Sequence, residues 1–173
     1  MGRYPFHWHM LSYTSVGASG LGGGVYLGDA DPQDHYLEDS SVWDSENRAV
    51  TIHATCGVKV DSVYAVDIKG HAFFMEDGSE QRNIIENCSA MKVRDPGVAG
   101  RIKVHDRFAS GFWLTNPDNT IVNNVGSDCS GRGLWNSFAA QCFGDSRNAS
   151  VEPVYIVVRQ FDDNTGHSNA TQG

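Results

Sequence analysis

The sequence predicts an all-β fold of the solenoid kind, a single-stranded parallel β-helix of four to five rungs with long loops. The first observation behind this is an echo. Asp44-Ser45-Glu46-Asn47-Arg48-Ala49-Val50-Thr51-Ile52-His53 is answered 23 residues later by Asp67-Ile68-Lys69-Gly70-His71-Ala72-Phe73-Phe74-Met75-Glu76, and a fixed period of short apolar strands is the signature of stacked coils. The second is composition: 19 glycines in 173 residues and only 20% charged residues, with frequent Asn, Asp and Ser, supply turn chemistry at nearly every rung corner. The third is the form of the apolar segments, which are short, rich in Val, Ile and aromatics, and separated by breakers. No long amphipathic helix pattern interrupts them.

The coil pattern begins in Arg3-Tyr4-Pro5-Phe6-His7-Trp8-His9, where His7 lies 46 residues, two periods, before His53. Strands are then expected near 36–43, 49–54, 58–66, 72–76 and 83–90, with Val58-Lys59-Val60 and Ala72-Phe73-Phe74-Met75 as the clearest. Ser110-Gly111-Phe112-Trp113-Leu114-Thr115-Asn116 repeats a small, apolar, apolar, apolar, polar order, predicting strand 111–115. Gly131-Arg132-Gly133-Leu134-Trp135-Asn136 repeats it again, predicting 133–136. Thr120-Ile121-Val122 opens a strand over 120–126, and a last strand is expected over 154–161. Ile52, Phe73, Met75, Val60, Val63, Ile85, Leu114 and Val122 are the expected core, joined by the mid-strand Trp113 and Trp135. Asn116, Asn119, Asn123, Asn124 and Asn136 are read as turn residues or as an internal asparagine ladder that satisfies buried backbone at the corners.

Two segments leave this pattern. Gly17–Pro32 is glycine-rich and reads as a long loop; no Gly-Lys-Ser/Thr follows it, so it is not a phosphate cradle. Met91–Arg107 gathers Arg94, Arg101, Lys103 and Arg107 in an otherwise acidic chain, a place where an anionic ligand would look. A formal net charge of −8 argues against nucleic acid as a partner. No apolar run reaches transmembrane length, and the N-terminus lacks a signal-peptide h-region. The chain reads as one domain over 1–173, expected to be a piece of a longer β-helix protein. Open solenoid ends would favour self-association. Cys56, Cys88, Cys129 and Cys142 permit up to two disulfides and form no Cys-x-x-Cys zinc pair. Sequons begin at Asn87, Asn148 and Asn169, about what chance allows.

Residues one period apart in a parallel β-helix stack about 4.8 Å apart, so His7, His53 and Glu76 are expected as a ladder on one face. Strand alternation puts His9 on the side of His7 and turns Trp8 to the other, while His71 falls in a different column, above Arg48. Such a ladder has two chemical uses, and both stay open. His7, His9, His53 and Glu76 form a ligand set for zinc or another first-row divalent ion, ahead of calcium. Alternatively His7, His53, Glu76 and Asp77 share acid and base catalysis without metal. No organic cofactor is expected. Trp8, Trp43, Arg48 and His71 are the candidate substrate contacts.

Five motifs in order carry a resemblance over about residues 2–170: Arg3–Met10, Arg48–His53, Gly70–Gly78, Phe112–Asn119 and Thr165–Asn169. They resemble the family of the cell-migration-inducing and hyaluronan-binding protein, the transmembrane cell-surface hyaluronidases and the fibrocystin-like proteins. The resemblance implies a right-handed parallel β-helix, an extracellular or cell-surface setting and, for some members, depolymerisation of hyaluronan. The chain would cover only the central β-helix of such proteins. The expected function is therefore an extracellular polysaccharide-degrading enzyme, a hyaluronidase-like hydrolase or lyase acting on hyaluronan or another anionic glycan. The alternative is a non-catalytic glycan-binding or adhesion module of the same fold.

Overall fold

The computed structural model describes residues 4–13 and 35–171, apart from the side chains of Ser12 and Tyr13. The loop expected over 17–32 lies outside the described residues. Thirteen strands are seen among the described residues: β1 (Phe6–Tyr13), β2 (His35–Ser45), β3 (Val50–Cys56), β4 (Val58–Lys69), β5 (Phe73–Met75), β6 (Ile84–Glu86), β7 (Ser89–Arg94), β8 (Phe112–Leu114), β9 (Thr120–Val122), β10 (Val125–Cys129), β11 (Leu134–Asn136), β12 (Gln160–Asp162) and β13 (Thr165–His167). Short 3₁₀ turns occupy Val104–Phe108, Gly144–Ser146 and Pro153–Tyr155. No described helix is long and apolar enough to cross a membrane.

All recorded strand pairings are parallel. One sheet runs β1-β3-β5-β8-β11 and the other collects β2, β4, β6, β7, β9, β10, β12 and β13. The 23-residue echo is real register: Val50 pairs with Phe73 and Ile52 with Met75, and Trp43 pairs with Val66, which sets Asp44 over Asp67. The first coil departs from the expected two periods. His7 pairs with Thr51 and His9 with His53, so the offset is 44 residues and His9, not His7, stands beside His53. A strict period cannot hold where coils differ in corner and loop length.

The corners explain where strands break. Asp39, Ser62, Asn87, Asn123 and Asp163 all have φ between 46° and 58° and occupy one stacked corner, each following a residue of the ladder Glu38, Asp61, Glu86, Val122 and Asp162. A second column of left-handed residues is Asp44, Asp67, Lys92, Asp128 and Ser168. Asn and Asp tolerate this conformation at least cost among residues with a Cβ. Because of the first column, the strands expected over 83–90 and 120–126 are each two strands, β6 with β7 and β9 with β10. The strand expected over 154–161 is absent, replaced by the Pro153–Tyr155 turn with β12 only from Gln160; Pro153 supplies no N–H to a ladder.

Ile52, Val60, Val63, Phe73, Met75, Ile85 and Leu114 are core residues, and the Phe73 and Phe112 rings stack at 4.6 Å. Val122 is only half-buried, since alternation turns its neighbour Ile121 inward. Trp113 and Trp135 sit on the opposite face of the first sheet from this core: Trp113 is buried under His105 of the 3₁₀ turn, ring on ring at 4.0 Å, and Trp135 lies under Arg132. All four cysteines are buried and none is in a disulfide.

The residue after each left-handed corner points inward, and there the asparagines form ladders. Asn124 Oδ1 accepts from the Cys88 N–H at 3.0 Å, and its Nδ2 donates to the Ile85 carbonyl at 2.9 Å and to Asn164 Oδ1 at 3.0 Å. Asn164 Nδ2 donates in turn to Ile121 O. Asn83 and Asn119 make a second ladder, with Val58 N–H donating to Asn83 Oδ1 and Asn83 N–H to Asn119 Oδ1; Asn169 bridges Gly126 and Cys129. Asn116 bonds Gly78 O and the Asp118 N–H, and Asn123 bonds Asn87 at the surface. Asn136 belongs to none of these ladders and is an exposed end residue of β11.

Replacing Asn124 by Ala leaves the Cys88 N–H and Ile85 carbonyl buried without partners, each costing roughly 1–3 kcal/mol. Urea denaturation of Asn124→Ala should show a loss of about 2–4 kcal/mol, with a native far-UV spectrum in the absence of urea. A loss indistinguishable from that of an exposed Asn136→Ala control would contradict the ladder's structural role.

Candidate functional site

On the first sheet the outward column His9, His53, Glu76 stands where β1, β3 and the end of β5 run side by side, with the Glu76 N–H donating to Ile52 O at 3.1 Å. His53 Nε2 lies 3.0 Å from Asp77 Oδ2 and its Nδ1 lies 2.9 Å from His9 Nδ1. A carboxylate only accepts, so the Nε2–H of His53 donates to Asp77. In the neutral ring Nδ1 is then a lone pair, which accepts the Nδ1–H of His9. Glu76 Oε2 stands 3.7 Å from the same Nδ1. His7 completes the group, stacked on His53 at 6.2 Å with 5° between the planes and meeting Tyr4 edge-on at 4.8 Å.

One donor atom from each of His7, His9 and His53 falls within 4.8 Å of the others, and the same holds for His53, Glu76 and Asp77. The donor chemistry fits a divalent first-row ion. Three imidazoles meet in the first trio and one imidazole with two carboxylates in the second, and His53, common to both, is held from behind by Asp77, the arrangement that orients a ligating histidine. Exposure is graded along the chain of contacts, from exposed His9 to His53 at 6% and Asp77 at 1%.

Asp77 is shaped by three segments. Its Oδ2 accepts the Ser146 N–H at 3.1 Å, its carbonyl accepts the Phe143 N–H at 2.7 Å, and a Cβ on Gly144, whose φ is +53°, would collide with Oδ1. The turn after it is drawn together by Glu80, fully buried, whose carboxylate accepts the N–H groups of Ala54, Asp77 and Gly78. Burial raises the Glu80 pKa, and the backbone donors only partly offset it. For His53, burial lowers the pKa, but the Asp77 hydrogen bond and the charges of Glu76, Asp77 and Glu80 together raise it above the ordinary value. For Asp77, burial raises the pKa, and the His53 bond and charge with the Ser146 donors bring it below the usual range. Burial, then the charges of His9 and His53, lower His7.

The predicted substrate contacts fare differently. Trp8 packs on the hydrophobic core, as alternation requires, and is not on the histidine face. Trp43 is 66% exposed but belongs to β2 in the other sheet. Arg48 and His71 are fully buried and inaccessible to substrate. The Arg48 guanidinium lies 2.8 Å from Asp106 and 3.9 Å over the Phe74 ring. His71 Nδ1 accepts the Ser110 N–H at 3.0 Å, so its Nε2–H donates to His105 Nδ1 at 2.9 Å. With those lone pairs used, the His71, His105, Asp106 trio is a structural network that pins the Val104–Phe108 turn over the first sheet.

Most of the positive stretch at 91–107 is neutralised, with exposed Arg107 lying over the Phe108 ring. Arg94 pairs with Asp128, Arg101 with Asp95, and Lys103 Nζ reaches Glu76 Oε1 at 3.2 Å. Lys103 is thereby brought to the histidine cluster, a placement that charge counting does not specify. Glu80 had a readable signal, a carboxylate closing the Asp77-Gly78-Ser79 turn. Ser146 and Gly144 had none, since they reach Asp77 from far along the chain.

The sequence description of the CEMIP beta-helix family matches residues 1–173. Fibrocystin-L of Mus musculus is 32% identical over 173 residues, all of this chain and 4% of that protein. The cell surface hyaluronidase CEMIP2 of Homo sapiens is 27% identical over 201 aligned residues, with all of this chain and 13% of that protein covered. The human cell migration-inducing and hyaluronan-binding protein is 28% identical over 197 aligned residues, again all of this chain and 14% of that protein. The chain thus spans a small part of the length of these relatives.

Burial, joined by the charges of Arg48 and His105, lowers the His71 pKa well below the ordinary value, and burial is likewise the main cause that takes His105 to about 4. In the unfolded chain both rings would titrate near about 6.5. The unfolded state therefore binds protons that the native state refuses as pH falls below that value. The stability these rings contribute is complete above about pH 6.5 and is lost toward the native pKa. Ring ¹⁵N spectra at about pH 5.5 should show both histidines neutral, with His71 as the Nε2–H tautomer. Titration of both near about 6.5 would contradict the network.

Proposed function

The chain belongs to the CEMIP beta-helix family, and on that premise we propose that it is the polysaccharide-cleaving segment of an extracellular or cell-surface protein acting on a uronate-bearing glycan of the hyaluronan class. The hyaluronidase names of relatives at 27–28% identity support the substrate class. The observation that carries the reading is the chain of contacts from exposed His9 through His53 to buried Asp77. We also propose that the coil winds right-handed, the hand that crossovers between parallel strands nearly always take.

In this reading Asp77 accepts the His53 Nε2–H, His53 Nδ1 accepts the His9 Nδ1–H, and the exposed His9 ring keeps an Nε2 lone pair as the general base. As His9 Nε2 takes a proton from substrate or water, positive charge is shared along the relay and stabilised by the Asp77 carboxylate. This is the orienting role that a buried acid plays behind a catalytic histidine. Asp77 does not serve as the nucleophile of a two-carboxylate glycosidase, because at 1% exposure its Oδ2 is held by His53 and Ser146. Glu76, beside Lys103, is the remaining carboxylate at the cluster. In the alternative to this relay the His53 Nδ1 lone pair would serve a metal instead of the His9 N–H, and His7, His9, His53 and Glu76 would hold zinc or another first-row divalent ion, which when bound acts as a Lewis acid toward glycan oxygen or water. The second reading, a non-catalytic glycan-binding module, is favoured by the fibrocystin-L relative at 32% identity, whose name carries no enzymatic activity.

His9→Ala and His53→Ala should each slow depolymerisation of long hyaluronan by about 10²–10⁴-fold, read by size-exclusion chromatography, with far-UV spectra unchanged. Elemental analysis of untagged protein separates the two uses of the cluster: a first-row metal that falls in His53→Ala supports the metal set, and metal-free protein that still cleaves supports the relay. Product ends distinguish the reactions, an unsaturated uronate marking a lyase. Wild-type chain that binds hyaluronan without shortening it would put the binding module ahead.

A further inference from the structure

We propose that the groove between the Gln141–Arg147 segment and Tyr155 is a subsite for one acidic sugar residue of the glycan strand that enters the histidine cluster. The inference rests on the cleavage reading above and extends it to a second place on the molecule. The groove is open, holds about 630 Å³ and is lined by Gln141, Cys142, Phe143, Arg147, Glu152 and Tyr155 among others. That lies within the range of roughly 300–1,000 Å³ in which small ligands seat.

Three observations point to an acidic sugar. The first is aromatic exposure: Tyr155 is 77% and Phe143 43% exposed, two rings that offer flat amphipathic surface to the C–H face of a pyranose. The second is charge. Among the described residues the other lysines and arginines each face a carboxylate or, in Arg107 and Arg132, lie over an aromatic ring. Exposed Arg147 does neither, and its planar fork matches a sugar carboxylate. In a chain of net charge −8 an unpaired guanidinium in a groove is a specific attraction for a polyanion. Glu152 in the same groove repels that carboxylate and is fitted instead to accept sugar hydroxyl or acetamido N–H groups, as is the Gln141 carbonyl. The third is continuity. Phe143 N–H and Ser146 N–H both donate to Asp77, so the segment that makes the groove wall is tied to the residue that holds His53.

The 173-residue chain is titrated calorimetrically with a hyaluronan tetrasaccharide and with the same tetrasaccharide after reduction of its carboxylates to alcohols. Arg147→Ala should bind the acidic probe about tenfold more weakly or worse, the loss of a charge-assisted pair, and the reduced probe as wild type does. Arg147→Lys should fall between, and Tyr155→Ala should weaken both probes. Far-UV spectra check that each variant folds. Wild-type affinity for the acidic probe in both Arg147→Ala and Tyr155→Ala overturns the subsite, as does a wild-type chain that binds neither probe. Cleavage of long hyaluronan is measured alongside. Arg147-dependent affinity in a chain that cleaves nothing upholds the subsite while removing the catalytic reading. Cleavage with unchanged affinity and KM in the variants does the reverse.

Discussion

Parallel pairing in register is the constraint on which everything else in this molecule depends. Each coil lies about 4.8 Å from the next, so whatever stands at one position is pressed against its counterpart above and below. Phe73 meets Phe112, Trp113 meets Trp135, and His9 meets His53. Apolar columns build a continuous core by this means. Polar columns must satisfy themselves, and the fold can carry them only where side chain complements side chain.

The asparagine ladders show how this is done. A left-handed corner turns the backbone and leaves N–H and C=O groups facing inward, out of line with the neighbouring strand. An amide side chain carries a donor and an acceptor on one carbon and so bridges two coils at once, as Asn124 does between Cys88, Ile85 and Asn164. The buried Arg48–Asp106 pair meets the same demand with charge. Ions taken out of water are tolerated only when paired; Asp106 accepts the N–H groups of Ile102 and Lys103, whereas the Arg48 guanidinium has the ion pair and the Phe74 ring but no hydrogen bond of its own among the described residues. Gly70 is needed there, because a Cβ at its φ of +75° would meet the Arg48 guanidinium.

The histidine cluster applies the stacking rule at the edge of the sheet, where one column is partly open to water. Register supplies His9, His53 and Glu76, and loops supply the rest. Lys103 arrives on the segment pinned by Arg48, His71 and His105, and the Phe143–Ser146 segment closes over Asp77. His7 and His9 are the exposed histidines of the cluster, while His53 and Asp77 are buried. In this acidic protein the lysine brought to the cluster, Lys103, is paired with Glu76.

By itself the sequence determined the all-β repeat, the strand positions from 49 to 76, the register that sets Asp44 over Asp67 and His53 beside Glu76, and the bridging roles of Asn116, Asn119 and Asn124, but not those of Asn83, Asn164 and Asn169. These follow from local turn chemistry and a short constant period. Tertiary structure alone decided that His9 and not His7 stands against His53, because the first coil spans 44 residues and the length of a loop leaves no trace in strand patterning. It also decided that Arg48 and His71 are buried, that Trp8 faces the core, and that Arg94 and Arg101 are spent on Asp128 and Asp95. Burial and pairing of long side chains depend on what crosses over them, and for Arg48 and His71 the covering residues Asp106 and His105 come from the loop at 95–109. Asp77 is the clearest case. Its position was readable, but its partners Ser146 and Gly144 lie beyond β11, Ser146 being 69 residues further along the chain, a contact that only the closed fold brings within hydrogen-bonding distance.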